Sequence, residues 1–249
     1  MWGSTVVYCG LAMGTAGFAL TIKPVRRLRV TSRWRGLLVT GMGLVVAGVG
    51  LRLPVRESRI HSPATRFDTF IPVWQFHEHH RLRVEASPAR VFHAIKQVRA
   101  DEIALFNTLT WIRRGGRQAP ASILNAGDSD PILDVATRSG FVLLADEAPR
   151  ELVIGTVVMA PPGSRGAVTA ELFQRSLPAG FALAAMNFLI EADGPNRCWV
   201  STETRVFANS DDARRRFAAY WRLIYPGSAL IRRMWLRAIE RRATSDQGP

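Results

Sequence analysis

Two apolar runs open the chain, Thr5–Ile22 and Gly36–Leu51, and neither contains a charged side chain. As helices they are roughly 27 Å and 24 Å long, near the lower limit for crossing a hydrocarbon core of about 30 Å. Trp2 and Trp34 stand where interfacial aromatics belong, and Arg35 and Arg52 can snorkel to lengthen the second span. The pattern predicts a transmembrane hairpin over residues 1–52. Gly10 with Gly14, and Gly43 with Ala47, repeat small residues at a spacing that lets helix backbones approach closely.

After Leu51 the pattern changes. Residues 53–74 lack helical periodicity, contain Ser-Pro and Ile-Pro steps, and read as a linker to a domain over 75–243, with a disordered tail at 244–249. Phe76–Glu85 alternates, with Phe76, Leu82 and Val84 against His77, Arg81 and Arg83, so a strand is expected. Ser87-Pro88 opens a helix to Val98, with Val91, Phe92, Ile95 and Val98 on one face. A second helix is expected from Asp101, with Ile103, Phe106, Leu109 and Ile112 inward, then a loop over Arg113–Asp130 and a short helix at Pro131–Arg138.

Five further strands follow: Gly140–Asp146, Glu151–Met159, Ala167–Arg175, Phe181–Ala192 and Arg197–Ala208. Asp146–Arg150 and Asp193–Asn196 suit hairpin turns, so the pairing should be antiparallel. The end reads as one long helix, Asp211–Ala243, capped by Ser210. Phe217, Tyr220, Trp221 and Ile224 form its apolar stripe, continued by Ile231, Met234, Trp235 and Ala238. Pro226-Gly227 should kink this helix without restarting it.

Charge sharpens the membrane reading. The chain carries a net +13, of which +7 falls in residues 1–52, where there is no Asp or Glu. The connector 23–35 holds Lys23, Arg26, Arg27, Arg29, Arg33 and Arg35, so the positive-inside rule keeps it cytoplasmic. The N-terminus and the domain after Leu51 then lie outside, although Arg52, Arg56, Arg59 and Arg66 pull the other way. The first run lacks the basic start of a signal peptide. Cys9 and Cys198 offer neither a disulfide framework nor zinc spacing.

The order strand, two short helices, further strands and a long C-terminal helix is that of a helix-grip fold, an α+β architecture with a curved antiparallel sheet around one helix. The segments FHEHHRLRVEASPARVFHAI, GFVLLADEAPRELVIGTV and STETRVFANSDDARRRFAAYWRLIYPGSALIRR resemble the START-related superfamily, which includes polyketide cyclase/dehydrase-like and lipid-transfer domains. The resemblance covers about residues 75–243. It implies a cavity for a hydrophobic or amphipathic small molecule, lipid-like or aromatic, and no cofactor. It carries no catalytic set.

Several apolar side chains are available either to wall such a cavity or to fill a core: Phe141, Leu143, Ile154, Met186, Phe188, Trp221 and Trp235. Glu78 and His80 are two apart in a strand and share the face of Phe76 and Leu82. That pairing suits an acid–base couple or a ligand anchor. His77 and His79 fall on the other face, so the histidines do not converge on a metal. Glu203 and Arg205 share a face with Trp199 and Phe207. They form either an inward pair that orients a polar ligand group or a surface charge ladder. Asn187 is a further cavity candidate.

Most arginines of the last helix fall off its apolar stripe, on a face that is solvated or meets anionic lipid headgroups. No nucleic-acid motif accompanies them. Three functions remain open: a membrane-tethered binding or transfer module, a cyclase/aromatase-like enzyme working through Glu78 and His80, or a structural partner-binding protein with a filled core.

Overall fold

A computed structural model describes residues 2–24, 32–117, 122–127, 129–164 and 166–245. Arg26, Arg27 and Arg29 of the basic connector, and residues 246–249 of the expected tail, lie outside the described residues. The chain divides into two compact units, Met1–Val55 with Arg215–Pro226, and Arg56–Arg214 with Gly227–Pro249.

The first unit is built on helices α1 (Trp2–Ile22) and α2 (Arg33–Arg52). Both are longer than the apolar runs alone suggested, because flanking Trp and Arg residues continue the helical turns. At roughly 30 Å each matches the thickness of a hydrocarbon core. The helices pack antiparallel along a seam of small residues. Ser4, Val7, Gly10, Gly14 and Gly17 are buried on α1, and Gly36, Gly43, Ala47 and Gly50 on α2. A Cβ on Gly10 would lie 2.7 Å from the Gly43 carbonyl oxygen, and one on Gly43 would lie 2.7 Å from the Gly10 carbonyl oxygen. Only glycine permits this approach. The large side chains point the other way, with Leu11, Phe18, Leu38, Met42, Leu44, Val45 and Val49 exposed.

The segment 215–226 completes this unit. Arg222 is buried and donates to the backbone carbonyls of Leu51 and Leu53, groups that the end of α2 leaves unpaired. Tyr8 donates its hydroxyl to the Leu223 carbonyl at 2.6 Å.

In the second unit, strands β3 (Phe76–Val84), β4 (Phe141–Glu147), β5 (Glu151–Met159), β6 (Ala182–Ala192) and β7 (Cys198–Ala208) form one antiparallel sheet. Its order is β3-β7-β6-β5-β4. Irregularities at Leu143/Ala145 and at Val157/Met159 break the register, the kind of feature that bends a sheet. The inner face is covered by α4 (Pro88–Gln97), α6 (Ile132–Arg138) and the part of α7 (Asp211–Ser245) that belongs to this unit. Phe92, Ile95, Ile132, Ile154, Phe188, Val200, Trp235 and Ile239 are the body of that core. The Phe188 and Trp235 rings meet edge-on at 5.1 Å. This α+β arrangement, an antiparallel sheet with a long C-terminal helix packed on one face, is the helix-grip fold.

The outer face has its own cover, which corrects the reading of residues 53–74 as a plain linker. Short strand β1 (Ser58–Arg59) pairs with β2 (Val73–Trp74), and helix α3 (Arg66–Phe70) lies between them. The Thr65 hydroxyl and the Asp68 carboxylate form a reciprocal capping box that starts α3. Phe67, Phe70 and Ile71 then pack with Phe173 and with Leu144, Val153 and Leu183 of the sheet.

Two further expectations need correction. Residues 167–175 form no strand. A 3-10 turn at Ala170–Phe173 carries Phe173 into the outer-face cluster, where its ring fills the space a side chain on Gly155 would take. The apolar alternation there came from packing one turn, and β5 pairs directly with β6. The helix expected from Asp101 is also broken. A 3-10 turn at Ala100–Glu102 and a left-handed Leu105 (φ 62°) precede α5 (Phe106–Arg113). This rotates the buried face, so Ile103, Phe106 and Thr110 are buried and Ile112 is exposed. Helix α7 continues through Pro226, and the turns before Arg150 and Arg197 lie where they were expected.

Candidate functional site

Strand alternation and register place one polar group on the inner face. Glu78 lies opposite Thr204, which lies opposite Met186, which lies opposite Ile154. The next row is His80, Thr202, Phe188 and Leu152. Beyond it the face is wholly apolar, with Leu82, Val200 and Ile190. A carboxylate with 2% of its surface exposed therefore sits at the edge of a hydrocarbon core.

Its oxygens are held. His80 Nε2 is 2.9 Å from Glu78 Oε1, and the Ser228 hydroxyl donates to Oε2 at 2.8 Å. Arg233 Nε approaches His80 Nδ1 at 3.5 Å, which makes Nδ1 the acceptor and Nε2 the proton donor to Glu78. Helix α7 supplies Ser228, Arg232 and Trp235 at i, i+4 and i+7, one face of the helix. Arg232 contacts the Met186 sulfur and lies over the Trp235 ring at 5.5 Å. Burial pushes its guanidinium down to about 10, against the attraction of Glu78.

Three donors here have no hydrogen-bond partner among the described residues: the Thr202 and Thr204 hydroxyls and the Trp235 indole N–H. All three residues are buried. Buried polar groups are paired in the great majority of cases, which sets these three apart from the rest of the inner face.

Of the residues predicted from sequence, the structure brings Glu78, His80, Met186, Phe188 and Trp235 together on this face. Ile154 and Phe141 share the face further along the sheet. Leu143 also shares it, but is 45% exposed and walls nothing. Trp221 belongs to the other unit, where its ring meets those of Phe217 and Tyr225 at a tilt, each 5.9 Å between centroids. Ser228, Arg232, Thr202 and Thr204 were missed. The signal for the first two was present, since they continue the spacing that carries Trp235.

Asn187, Glu203 and Arg205 lie on the outer face, away from the Glu78 group, where all three line a separate pocket of about 260 Å³ with Asp68, His79 and Arg81. The Glu203–Arg205 pair is covered rather than an exposed ladder, and it stands on the outer face rather than the inner one. Arg205 donates to Asp68 at 2.7 Å and to Glu203 at 2.6 Å. Its guanidinium lies over Phe67 at 4.5 Å and over Trp74 at 4.2 Å. His77 pairs with Glu203 at 2.9 Å. Asn187 donates to Glu151 at 2.9 Å, and Glu151 accepts from the Arg66 backbone at 2.8 Å. These contacts fasten the 56–75 segment to the sheet.

Burial alone would raise the Asp68 carboxyl. Hydrogen bonds from the Ala64 and Thr65 backbone and from Arg205 outweigh it and hold the group below its usual value. Glu203 is likewise pushed up by burial but held low by His77 and Arg205. A groove of about 420 Å³ also opens on this face, between Phe70, Val73, Phe173, Leu177, Phe181 and Phe207.

No family model matches this sequence, and no curated protein matches it. Solved structures with a similar arrangement include a Mesorhizobium loti protein, at 13% identity over 70% of this chain and 100% of that one, TM-score 0.32. A Streptomyces aromatase/cyclase is similar at 12% identity over 70% of this chain and 99% of that one, TM-score 0.28. Human STARD10 is similar at 9% identity over 66% of this chain and 63% of that one, TM-score 0.23.

Proposed function

We propose that this protein is a membrane-anchored member of the START-related superfamily whose helix-grip domain binds or transfers a hydrophobic or amphipathic small molecule on its inner face. The carrying observation is the buried Glu78 carboxylate, grouped with half-buried His80, Ser228 and Arg232 against an apolar wall, with three donors beside it that lack partners among the described residues. A few placed polar groups in an apolar surround fix the orientation of a small ligand.

The anchor rests on the hairpin's burial pattern. Its seam is glycine and its exposed surface is Leu, Val, Met and Phe. Water would penalise that surface by about 25 cal/mol per Å², and lipid would not. A buried core helix would show the reverse. The two helices are long and apolar enough to span. The connector 23–35 faces the cytoplasm and the domain lies on the far side, as the charge distribution favours.

The test is native mass spectrometry of the full chain in lipid nanodiscs, followed by extraction of bound species. A species retained by wild type and lost in Glu78→Ala supports the reading; identical extracts from both sink it. The Glu78–His80 couple also favours a second reading, a cyclase/aromatase-like enzyme. Turnover of the extracted molecule that is lost in His80→Ala would establish it.

A further inference from the structure

Resting on the inner face as a ligand site, we propose that its occupant is an amphipathic organic anion. The head carries carboxylate-, sulfonate- or phosphate-type oxygens held by Arg232, Thr202, Thr204 and Trp235, and the body lies along Met186 and Phe188.

Glu78 already accepts hydrogen bonds from His80 and Ser228. What remains is a guanidinium, an indole N–H and two hydroxyls that can each donate. Arg232 makes no ion pair among the described residues, and its hydrogen-bond contact is a thioether sulfur, a weak acceptor. The Thr202 and Thr204 hydroxyls and the Trp235 N–H have no partner among the described residues. Two charges act on Arg232: Glu78 attracts it, and a further cation, Arg113, repels it. A half-buried guanidinium short of acceptors, beside three free donors, fits oxygens bearing negative charge. A neutral hydrocarbon would leave all of them unsatisfied. The Phe188 and Trp235 rings and the Met186 side chain give the ligand an apolar surface next to its head.

The test uses two fluorescent probes with one ring framework, anilinonaphthalene sulfonate and uncharged phenylnaphthylamine. Each is titrated into the full chain in phosphatidylcholine nanodiscs, with empty nanodiscs subtracted. Wild type should bind the sulfonate roughly tenfold more tightly than the neutral probe, as expected of charge-assisted hydrogen bonds. Arg232→Met should abolish that preference while neutral binding persists, and Arg232→Lys should keep part of it. Thr204→Val, which preserves shape, should weaken the sulfonate several-fold and guards against a misfolded arginine variant. Equal affinity for both probes, unchanged in Arg232→Met, would overturn the anionic head and leave the ligand site standing. Failure of both probes to bind above empty nanodiscs would overturn the ligand site itself.

Discussion

Arg205 donates to Asp68 at 2.7 Å across 137 positions of sequence, and both side chains are buried. This contact ties the segment before the first sheet strand to the sheet's last. Breaking one side of a buried ion pair leaves an uncompensated charge and costs about 3 kcal/mol or more. Asp68→Asn and Arg205→Met should each loosen the 56–75 segment, read as faster tryptic cleavage at Arg59 and Arg66. Cleavage at wild-type rates would show that the apolar contacts of Phe67 and Phe70 hold the segment unaided.

The same pair sets a pH dependence. Asp68 and Glu203 both have folded-state carboxyls held below their usual values. Their stabilisation is therefore complete above the ordinary carboxylate value of about 4 and is lost as pH falls through the lower folded-state values. Tryptophan-fluorescence unfolding of wild type should show stability falling on that acid limb, with a shallower slope in Asp68→Asn. Parallel profiles would remove Asp68 from the linkage.

The hairpin seam predicts a contrast between two glycines of one helix. A Cβ on Gly43 would strike the α1 backbone, whereas one on Gly41 meets nothing within 4 Å. Gly43→Val should lower the thermal midpoint in detergent by several degrees, while Gly41→Ala should leave it unchanged or raise it slightly. Equal effects would argue that the helices do not pack along this seam in solution.

Orientation is testable by cysteine labelling in a background lacking Cys9 and Cys198. A cysteine at Ser32 should react only after the membrane is permeabilised, and one at Ser245 should react without it. Replacing Arg26, Arg27 and Arg29 with Glu should disturb that pattern. Unchanged labelling would mean that the connector does not set the topology.

How far the sequence went follows from the sheet's geometry. Alternation in β3 put Glu78 and His80 on one face, and the flanking Phe76 and Leu82 identified it as the inner one. The same logic failed for Glu203 and Arg205. Aromatic neighbours mark a covered face, and this sheet is covered on both sides. The outer cover is the 56–75 segment, whose two-residue strands and five-residue helix are too short to show a period. Arg222 and Arg232 escaped for a related reason. Both look like solvated helix arginines, and each meets a contact distant in sequence: the end of α2 for one and the Met186 sulfur for the other.

The most direct measurement of the central claim is the mass of what stays bound to the full chain, compared between wild type and Arg232→Met purified identically into nanodiscs. The wild-type extract should contain an organic anion with an apolar body, strongly depleted in the variant. The same molecules in equal amounts from both would contradict a charged head held by Arg232.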